Sequence, residues 1–537
     1  MYTIETKEFP ECDFNKWELM FDYHYVYILE NGKDAYIGET NDVSRRASEH
    51  DSKTQKNKLK KYCFKRIHII SGEMAEETPA KHCERLLIKL MRADNKFRIV
   101  NIPDGEMTHS PRKNQFEGYF DDLWLQLEKK GLVRTKEFQT ILNSNTYKYS
   151  PHTALTESQY QALSSIVNAI DSKETEPHKK GFKVRPILVN GDAGTGKTVA
   201  ATSLFYFLKS NHQYKDKKIA LVYSNPAIRK EMQEVFRNIE GLNQKDIISP
   251  VGVTKQFYDI IICDEAHRLR QGKNLGMYFK HFKQGNEQLG LDNTGDELDW
   301  ILTNSSCQVL FYDEKQITGP SDISQDSFEK KLYERKRGVR PVKLNEQMRI
   351  KAGDRYVSYI YDVLQQKAEA QQVFENYDFR VFTDFSDMVK IIREKDEMMG
   401  LCRLCGGYAW EWKARKDKSL DDISIGGENI QWNTQTGGWL SNQNAKNEMG
   451  SIYTLAGLDL NYAGVVIGAD LFYDKVSQEI KVNRREFYDE KVKKGVTDEE
   501  LKTYILNTYA VLLTRGISGT YIYVCDDDLR DYFQKFI

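Results

Sequence analysis

The stretch Gly191–Thr198 constrains the fold more than any other part of this sequence. It reads GDAGTGKT and lies between the apolar run PILVN and the helical pattern VAATSLFYFLKS. Gly191, Gly194 and Gly196 allow the backbone to curl so that amide groups and a helix N-terminus face an anion. The motif GxxxxGK followed by Ser or Thr, in this context, predicts a phosphate-binding loop that joins a strand to a helix.

The other residues of this loop supply the groups that an ATP and Mg²⁺ site needs. Lys197 would reach the β and γ phosphates, and Thr198 would bind Mg²⁺. Thr195 completes the predicted nucleotide-binding set. We therefore expect ATP and Mg²⁺ as cofactors of this part of the chain.

Two adjacent carboxylates, Asp264 and Glu265, end the apolar run YDIIICDEA. Burying a charge is costly unless the group is paired or binds a metal, so packing alone does not account for both. Asp264 is expected to hold Mg²⁺. Glu265 is expected to orient and deprotonate the attacking water.

Strands and helices alternate from about residue 151 onward, which is typical of an α/β fold with parallel sheets. The apolar runs include KIALVYS, QVLFYD, GVVIGAD and TYIYVCD. A chain of 537 residues is also too long for a single hydrophobic core. We expect a small domain over 1–105, a helical connector over 106–150, a first ATPase domain over 151–335 and a second domain over 336–537.

Composition limits where the chain can work. With 40% hydrophobic and 29% charged residues it has the composition of a soluble globular protein. Its apolar stretches are shorter than the roughly 18 residues of a membrane span, and its eight scattered cysteines fit a reducing compartment. We therefore expect a cytoplasmic protein that has no membrane partner. The net charge of -1 excludes a uniformly basic nucleic-acid coat but not a local basic groove.

The chain from about 151 to 537 resembles a superfamily 1 helicase core, specifically the bacterial helicase-like family related to the Schlafen ATPase module. TESQYQAL resembles the glutamine motif, which implies that Gln159 reads adenine. FYDEKQIT carries Gln316, which in the family couples the γ-phosphate to the strand-binding surface. Arg349 in LNEQMR and Arg515 in TRGISGT resemble the two arginines that reach the γ-phosphate from the second domain.

One segment departs from the helicase pattern. GSIYTLAGLDL resembles the motif that links nucleic acid to the ribose, which implies a nucleotide contact for Asp459. Ala456 stands where many relatives have a polar residue, and Asp459 replaces the usual glutamate. The resemblance therefore supports ATP hydrolysis more strongly than processive unwinding.

Two other features have both a packing and a binding interpretation. GYAWEWKARK resembles a stretch of the same helicase-like family, and for Trp410 and Trp412 core packing is expected, with base stacking as the alternative. Cys402 and Cys405 form a lone CxxC. Packing is the expected role of this pair, because no second pair at zinc spacing accompanies it.

The N-terminal segment YVYILENGKDAYIGETNDVSRRASEH resembles the GIY-YIG nuclease family. Tyr27 is placed at the end of a first strand and Tyr36 in a second, joined by an NGKD turn that suits a hairpin. Asp42 is expected to cap the next helix, where Arg46 and His50 are four residues apart and share one face. The resemblance implies that Tyr27 or His50 activates water and that Arg46 stabilises the charge on the reacting phosphate.

A carboxylate lies on the apolar stripe of the helix PAKHCERLLIKLMR. Glu84 follows the same helical spacing as Leu87, Ile88 and Met91. A carboxylate on such a face is costly unless a charged group meets it, and a divalent metal would do so. The nuclease family places its metal-binding glutamate on this helix, so Glu84 is expected to bind Mg²⁺ or Mn²⁺. The basic stretch that begins at Asp51, DSKTQKNKLKKYCFKR, would either contact phosphate or form a solvated face.

Taken together, these features predict an α/β chain with two RecA-like P-loop domains and a small N-terminal α+β GIY-YIG domain. The expected function is an ATP-dependent or ATP-regulated endonuclease with a helicase-like motor that acts on DNA in bacterial antiphage defence. The alternatives are a repair helicase-nuclease for branched DNA and an ATP-gated nucleic-acid sensor without cleavage activity. DNA is preferred to RNA as the partner. A homo-oligomer and a defence-system partner protein are both compatible with the sequence.

Overall fold

The computed structural model describes residues 2–9, 23–51, 59–72, 77–101, 120–135, 138–151, 155–172, 176–178, 181–183, 186–237, 239, 242–333, 340–344, 347, 349–434, 439–455 and 457–537. The chain divides into two compact units. The first comprises Met1–Tyr160, Thr202–Lys215 and Glu234–Gln244, and the second comprises Gln161–Ala201, Asp216–Gln233 and Lys245–Ile537. A small N-terminal sheet lies in the first unit, and two parallel sheets lie in the second.

The N-terminal sheet is mostly antiparallel. Its strands, in spatial order, are Thr3–Glu8, Arg66–Ser71, Tyr25–Glu30, Asp34–Thr40 and Arg98–Ile99. The predicted hairpin is confirmed: Tyr27 pairs with Gly38, and the turn between the two strands has Gly32 at a φ of 86°. The structure corrects one detail, because Tyr27 lies inside its strand and not at its end.

Helices pack against this sheet, and most of them share one hydrophobic cluster with it. They are Val43–Asp51, Glu77–Asp94, Phe120–Lys129, Phe138–Asn143 and Asn145–Lys148. Trp124 and Leu127, in the segment predicted to be a connector, belong to the same hydrophobic cluster as Val26 and Leu87. The residues that the structure describes in 120–148 therefore pack as part of the N-terminal body.

The first parallel sheet carries the predicted phosphate-binding loop. Its strands, in spatial order, are Ile247–Ile248, Ile219–Tyr223, Tyr258–Asp264, Ser305–Tyr312, Ile187–Gly191 and Arg340–Leu344. All neighbouring pairs are parallel. Because carboxyl ends of parallel strands meet at one edge, Gly191, Asp264 and the residue after Tyr312 lie at the same edge of the sheet.

Helices accompany the strands of this sheet, as the alternating pattern predicts. They are Glu157–Asp171, Lys197–Ser210, Pro226–Arg237, Pro250–Val253, Phe279–Leu289, Glu297–Thr303 and Gln325–Tyr333. A two-stranded hairpin, Glu176–His178 with Gly181–Lys183, precedes the first core strand.

The second sheet is parallel except for its last pair of strands. In spatial order its strands are Asp378–Phe382, Gly516–Val524, Leu460–Ile467, Cys402–Gly406, Glu448–Ser451, Glu428–Trp432 and Ile423–Ile425. Its helices are Asp354–Leu364, Phe385–Met399, Ile452–Leu455, Glu490–Lys493, Asp498–Leu513 and Asp527–Gln534. A hairpin of Leu471–Asp474 and Glu479–Val482 accompanies them.

The strand Arg340–Leu344 lies beyond the boundary predicted at residue 335, yet it pairs with Ile187–Gly191 in the first sheet. Its sequence, RPVKL, buries only Val342 and Leu344 and exposes the other residues. An edge strand with this pattern lacks the continuous apolar run that marked the other strands, so it could not be predicted from its residues alone.

The CxxC pair divides between two faces of one strand. Cys402 packs in one hydrophobic cluster with Val389, and Cys405 packs in another with Val465. Both thiols are buried and free. Packing, the expected role of this pair, is thus what the structure shows.

The architecture is the predicted one: an α/β chain with two RecA-like parallel sheets and a small N-terminal α+β domain. Within the described part of the chain, no helix combines the length and apolar character needed to cross a bilayer.

Candidate nuclease and nucleotide-binding sites

Tyr27, Tyr36 and His50 form an aromatic cluster in the N-terminal domain. The Tyr27 hydroxyl lies 2.8 Å from Nε2 of His50 and shares a hydrogen bond with it. The Tyr36 ring meets the His50 ring edge-on, with 5.2 Å between centroids. A Cβ at Gly38 would overlap the Tyr27 ring, so glycine here leaves the space that the tyrosine occupies.

The helix after the hairpin places Arg46 beside these groups. The Asp42 carboxylate accepts a hydrogen bond from the backbone N–H of Arg45 at 2.9 Å, which confirms Asp42 as the helix cap. The Arg46 guanidinium donates to Glu49 at 2.8 Å. Burial raises the pKa of both Tyr27 and Tyr36, and the positive charge of Arg46 offsets part of that rise. Glu49 was not predicted, and its position one turn after Arg46 is the only sequence sign of this contact.

Glu84 completes the cluster. Burial and the Tyr36 hydroxyl raise the pKa of Tyr27 well above its usual range, and the Glu84 carboxylate adds to this effect. Glu84 likewise raises the pKa of Tyr36, after burial. The structure therefore brings together all five residues predicted for this site, which are Tyr27, Tyr36, Arg46, His50 and Glu84.

The Glu84 carboxylate fits a divalent ion that keeps most of its water. It is half-buried beside two neutral hydroxyls, on the face that also carries the buried residues Leu87 and Met91. The described residues contain no group of three or more His, Cys, Asp or Glu side chains that could enclose a metal. Mg²⁺ is commonly held by one or two carboxylates, with water and phosphate oxygens as its other ligands.

Burial, together with the positive charge of Arg46, lowers the pKa of His50 to about 4. The imidazole is therefore neutral at neutral pH. Because Tyr27 stays protonated, its hydroxyl can pass a proton to Nε2 of His50 while it takes one from water. The pair can thus act as a single general base.

We expect this neutral histidine to make stability depend on pH. The unfolded chain binds a proton at His50 near pH about 6.5, whereas the folded domain does so only near pH 4. Folding is therefore favoured above about pH 6.5, and that contribution is lost as the pH falls through about 4. Thermal unfolding between pH 8 and pH 4.5 should show a shallower decline for His50→Gln than for wild type. The exposed His212→Gln serves as the control, and equal slopes for all three proteins would contradict the prediction.

The phosphate-binding loop has the geometry that its glycines allow. Gly194 and Gly196 have φ values of 86° and 76°, in the left-handed region that favours glycine. Lys197 is buried, and its Nζ donates to the carbonyls of Gly191 at 2.6 Å and Asp192 at 3.0 Å. Its ammonium group therefore lies across the concave side of the loop.

Asp264 ends the strand Tyr258–Asp264 and Glu265 follows it, at the same edge of the sheet as the loop and with the strand Ser305–Tyr312 between them. Asp264 is fully buried, and burial together with Glu265 raises its pKa, although the Thr198 hydroxyl and Lys197 lower it. Glu265 has a left-handed φ of 53° and lies 3.0 Å from Nε2 of His267. Burial would raise the pKa of Glu265, but His267, Lys197 and Arg268 outweigh it, so the pKa is lowered and the carboxylate is ionised.

Asp264 and Thr198 fit Mg²⁺. The Asp264 Oδ1 accepts the backbone N–H of Glu265 at 3.0 Å, whereas its Oδ2 has no hydrogen bond of ordinary geometry within the described residues. An oriented carboxylate beside a threonine hydroxyl supplies the hard oxygen atoms that Mg²⁺ prefers.

Asp313 and Lys315 are functional candidates that the sequence reasoning missed. The Asp313 carboxylate accepts from Nζ of Lys197 at 2.9 Å and from the amide of Gln316 at 2.6 Å. Lys315 pairs with Asp192 of the loop at 3.0 Å. Asp313 directly follows an apolar strand, and Asp264 ends another one, so this position was the available signal.

The two predicted arginines lie in different surroundings. The guanidinium of Arg349 forms an ion pair with Asp459, at 2.5 Å between Nε and Oδ1. Arg515 is 2% exposed and acts on Tyr361, whose pKa is raised by burial and by Asp313 and lowered by this arginine. Arg515 and Asp313 therefore have opposite effects on the pKa of the same Tyr361 hydroxyl. The pairing of Arg349 with Asp459 was not predicted from the sequence.

Gln159 is buried in the first unit, where its side-chain oxygen accepts from the backbone N–H of Thr156 at 3.1 Å. The adenine contact implied by the resemblance stays a prediction. Trp410 and Trp412 are partly buried against the core of the second sheet, and the Arg415 guanidinium lies 5.6 Å from the Trp412 ring. Their expected role in packing is thus supported. Ala456 and residues 52–58 of the basic stretch lie outside the described residues.

Comparisons with known proteins agree with this arrangement. The model of the Schlafen group 3 DNA/RNA helicase domain matches residues 185–526, and the model of the GIY-YIG catalytic domain matches residues 23–98. An uncharacterised protein of Saccharomyces cerevisiae, YPL245W, is 27% identical over 394 residues, with 64% of this chain and 82% of that protein covered.

Solved helicase structures are similar at low identity. The Pif1 helicase from Candida albicans aligns with a TM-score of 0.22 and 11% identity, covering 45% of this chain and 54% of that chain. The DUF1998 helicase MrfA bound to DNA aligns with a TM-score of 0.31 and 10% identity, covering 72% of this chain and 49% of that chain. The alignments thus span about half the length of these two helicases. Because the Schlafen group 3 model matches more than half of its residues, the chain belongs to the Schlafen group 3 helicase family and carries a GIY-YIG catalytic domain before the helicase domain.

Proposed function

We propose that this protein is a metal-dependent DNA endonuclease whose activity is driven or regulated by ATP hydrolysis in its helicase domain. The observation that carries the proposal is that one chain holds two separate clusters of reactive side chains. One cluster centres on the Tyr27–His50 hydrogen bond, and the other on the contacts of Lys197 with Asp313 and with the loop carbonyls.

The ATPase step follows from the second cluster. Lys197 would bind the β and γ phosphates, and Glu265, ionised at neutral pH, would take the proton of the attacking water. Thr198 and Asp264 would hold Mg²⁺, and the bound ion would supply positive charge to the phosphate oxygens. Arg349 and Arg515 would stabilise the charge that develops on the γ-phosphate. Gln159 and Asp459 are proposed to contact the nucleoside, and Gln316 is proposed to report the state of the γ-phosphate.

The nuclease step follows from the first cluster. Water attacks the phosphorus atom of a phosphodiester while the Tyr27 hydroxyl accepts its proton and passes its own proton to His50. The P–O bond on the opposite side of the phosphorus breaks, and the alkoxide that leaves takes a proton from solvent. Arg46 and Tyr36 would stabilise the pentacovalent phosphate. Glu84 would hold a divalent ion, which would supply Lewis-acid stabilisation to the same phosphate.

The test is cleavage of plasmid and oligonucleotide DNA by the purified chain with Mg²⁺ or Mn²⁺, with and without ATP. Cleavage that requires the metal and changes with ATP supports the proposal. Cleavage of forks or flaps in preference to linear duplex would favour a repair enzyme. Intact DNA in every condition, alongside ATP hydrolysis stimulated by DNA, would instead identify an ATP-gated sensor. The same assay with RNA of matched sequence decides the substrate class.

We further propose a role in genome defence in bacteria, supported by the fusion of a nuclease domain to an ATPase. A defence-system partner protein or self-association belongs to this proposal. Phage should form plaques less efficiently on cells that express the protein, and these cells should take up plasmid less efficiently. The Lys197→Ala variant should restore both efficiencies. Unchanged plating with the wild-type protein would exclude the role.

A further inference from the structure

Gln347 connects the phosphate-binding loop to the segment that carries Arg349. Its side-chain Nε2 donates to the carbonyl of Ala193 at 2.7 Å. Its Oε1 accepts the backbone N–H of Arg349 at 3.0 Å and that of Ile350 at 3.3 Å. Both ends of one amide are thus engaged, one with the loop and the other with the arginine segment.

The contact between Gln347 and the loop is close. A Cβ built on Gly194 would overlap the side-chain amide of Gln347, and the φ of 86° at this glycine also disfavours other residues. A side chain at position 194 and the amide of Gln347 therefore cannot occupy this space together. The absence of a side chain at Gly194 leaves the space that the Gln347 amide occupies.

Arg349 receives its position from the same amide. Its backbone N–H is held by Gln347, and its guanidinium is held by Asp459. A continuous set of contacts thus runs from Ala193 through Gln347 to Arg349.

We infer that Gln347 is a positioning residue, which fixes the backbone of Arg349 relative to the phosphate-binding loop so that the guanidinium meets the γ-phosphate. The inference rests on the proposed ATP hydrolysis. Gln347 is expected to affect the rate of hydrolysis and not the affinity for the nucleotide. The reason is that its amide is bonded to a backbone carbonyl of the loop, that of Ala193.

The chemistry of the side chain explains why glutamine is needed. A donor must face the Ala193 carbonyl while an acceptor faces two backbone N–H groups, and a terminal amide offers both. Glutamate has the same shape but lacks the donor, so its carboxylate would face the carbonyl oxygen of Ala193. Gln347→Glu therefore breaks one side of the bridge and keeps the other.

The experiment compares Gln347→Glu, Arg349→Ala and the double variant in steady-state ATP hydrolysis and in binding of a fluorescent ATP analogue. Gln347→Glu should lower kcat roughly 10- to 100-fold, as small displacements of catalytic groups do. The affinity for the analogue should change less than about threefold, and the double variant should be no slower than Arg349→Ala alone.

Gln366→Glu is the matched control. The Gln366 amide also bridges two backbone groups, donating to Gln478 at 2.9 Å and accepting from Ile480 at 2.8 Å. It should leave kcat unchanged. Gln347→Met, which keeps the size but removes both polar atoms, provides a second test should Gln347→Glu unfold on heating earlier than the control.

The outcomes separate two failures. Absence of ATP hydrolysis in the wild-type protein contradicts the proposed function itself. Wild-type hydrolysis that is unchanged in both Gln347 variants overturns the inference alone. Additive losses in the double variant, or a loss of nucleotide affinity equal to the loss of kcat, overturn it as well, because Gln347 would then act apart from Arg349 or as a ligand of the nucleotide.

Discussion

We expect Lys197→Ala to lower the rate of ATP hydrolysis roughly 100- to 1,000-fold, the range seen when one donor at a reacting oxyanion is removed. Nζ of Lys197 lies across the loop, bonded to the carbonyls of Gly191 and Asp192 and to Asp313. The Thr195 hydroxyl also donates to the Asp192 carbonyl, at 3.0 Å, but it carries no positive charge. The measurement is phosphate release at saturating ATP and Mg²⁺, with and without DNA.

The Lys197→Ala substitution is also expected to lower the stability of the fold, and this effect must be distinguished from the loss of catalysis. Lys197 and Asp313 form a buried ion pair, and removal of one partner costs about 3–5 kcal/mol. Lys197→Met combined with Asp313→Asn leaves no unpaired charge, so it should restore the melting temperature and remain inactive. Lys217→Ala, an exposed lysine paired with Asp259, is the control with normal activity. Hydrolysis by the double variant near the wild-type rate would show that the lysine is structural.

The second large effect is expected at the nuclease site. Glu84→Gln should reduce DNA cleavage at least 100-fold, since the amide cannot neutralise a divalent cation, while ATP hydrolysis stays within about twofold of wild type. The carboxylate acts on the hydroxyls of Tyr27 and Tyr36, so the loss should concern cleavage itself and not the fold of the domain. Time courses of plasmid nicking at several Mn²⁺ concentrations measure the effect.

Glu5→Gln provides the matched control, because Glu5 is an exposed residue on a strand of the same domain. This control should cleave at the wild-type rate. Cleavage by Glu84→Gln at an undiminished rate and with the same Mn²⁺ dependence would exclude Glu84 as the metal ligand. Equal losses of cleavage in Glu84→Gln and Glu5→Gln would mean that the domain had unfolded.

Much of the fold and of both sites could be predicted because the signals are local. The loop Gly191–Thr198 lies directly between an apolar strand pattern and a helical pattern. Arg46 and His50 are four residues apart on one helix, which places them on the same face. Glu84 could be proposed because it follows the helical spacing of apolar residues on the same helix, where the resembled nuclease family places its metal-binding glutamate. Such patterns require only a few consecutive turns of chain.

The residues that were missed depend on contacts between distant segments. Asp313 is bonded to a lysine 116 positions earlier, and Gln347 is bonded to a carbonyl 154 positions earlier. No periodicity or spacing in a single segment encodes such distances. The pairing of Arg349 with Asp459 has the same origin, because each residue by itself resembles an exposed charge.

The edge strand Arg340–Leu344 also changes how the two arginines can move. Five peptide steps separate Leu344 from Arg349, and a chain of that length reaches at most about 18 Å. Arg349 therefore stays close to the edge of the sheet that carries the phosphate-binding loop. Arg515 directly precedes the strand Gly516–Val524, so its backbone is attached to the second sheet. Asp459, the ion-pair partner of Arg349, directly precedes the strand Leu460–Ile467 of the second sheet, so Arg349 is attached to both sheets whereas Arg515 belongs to one.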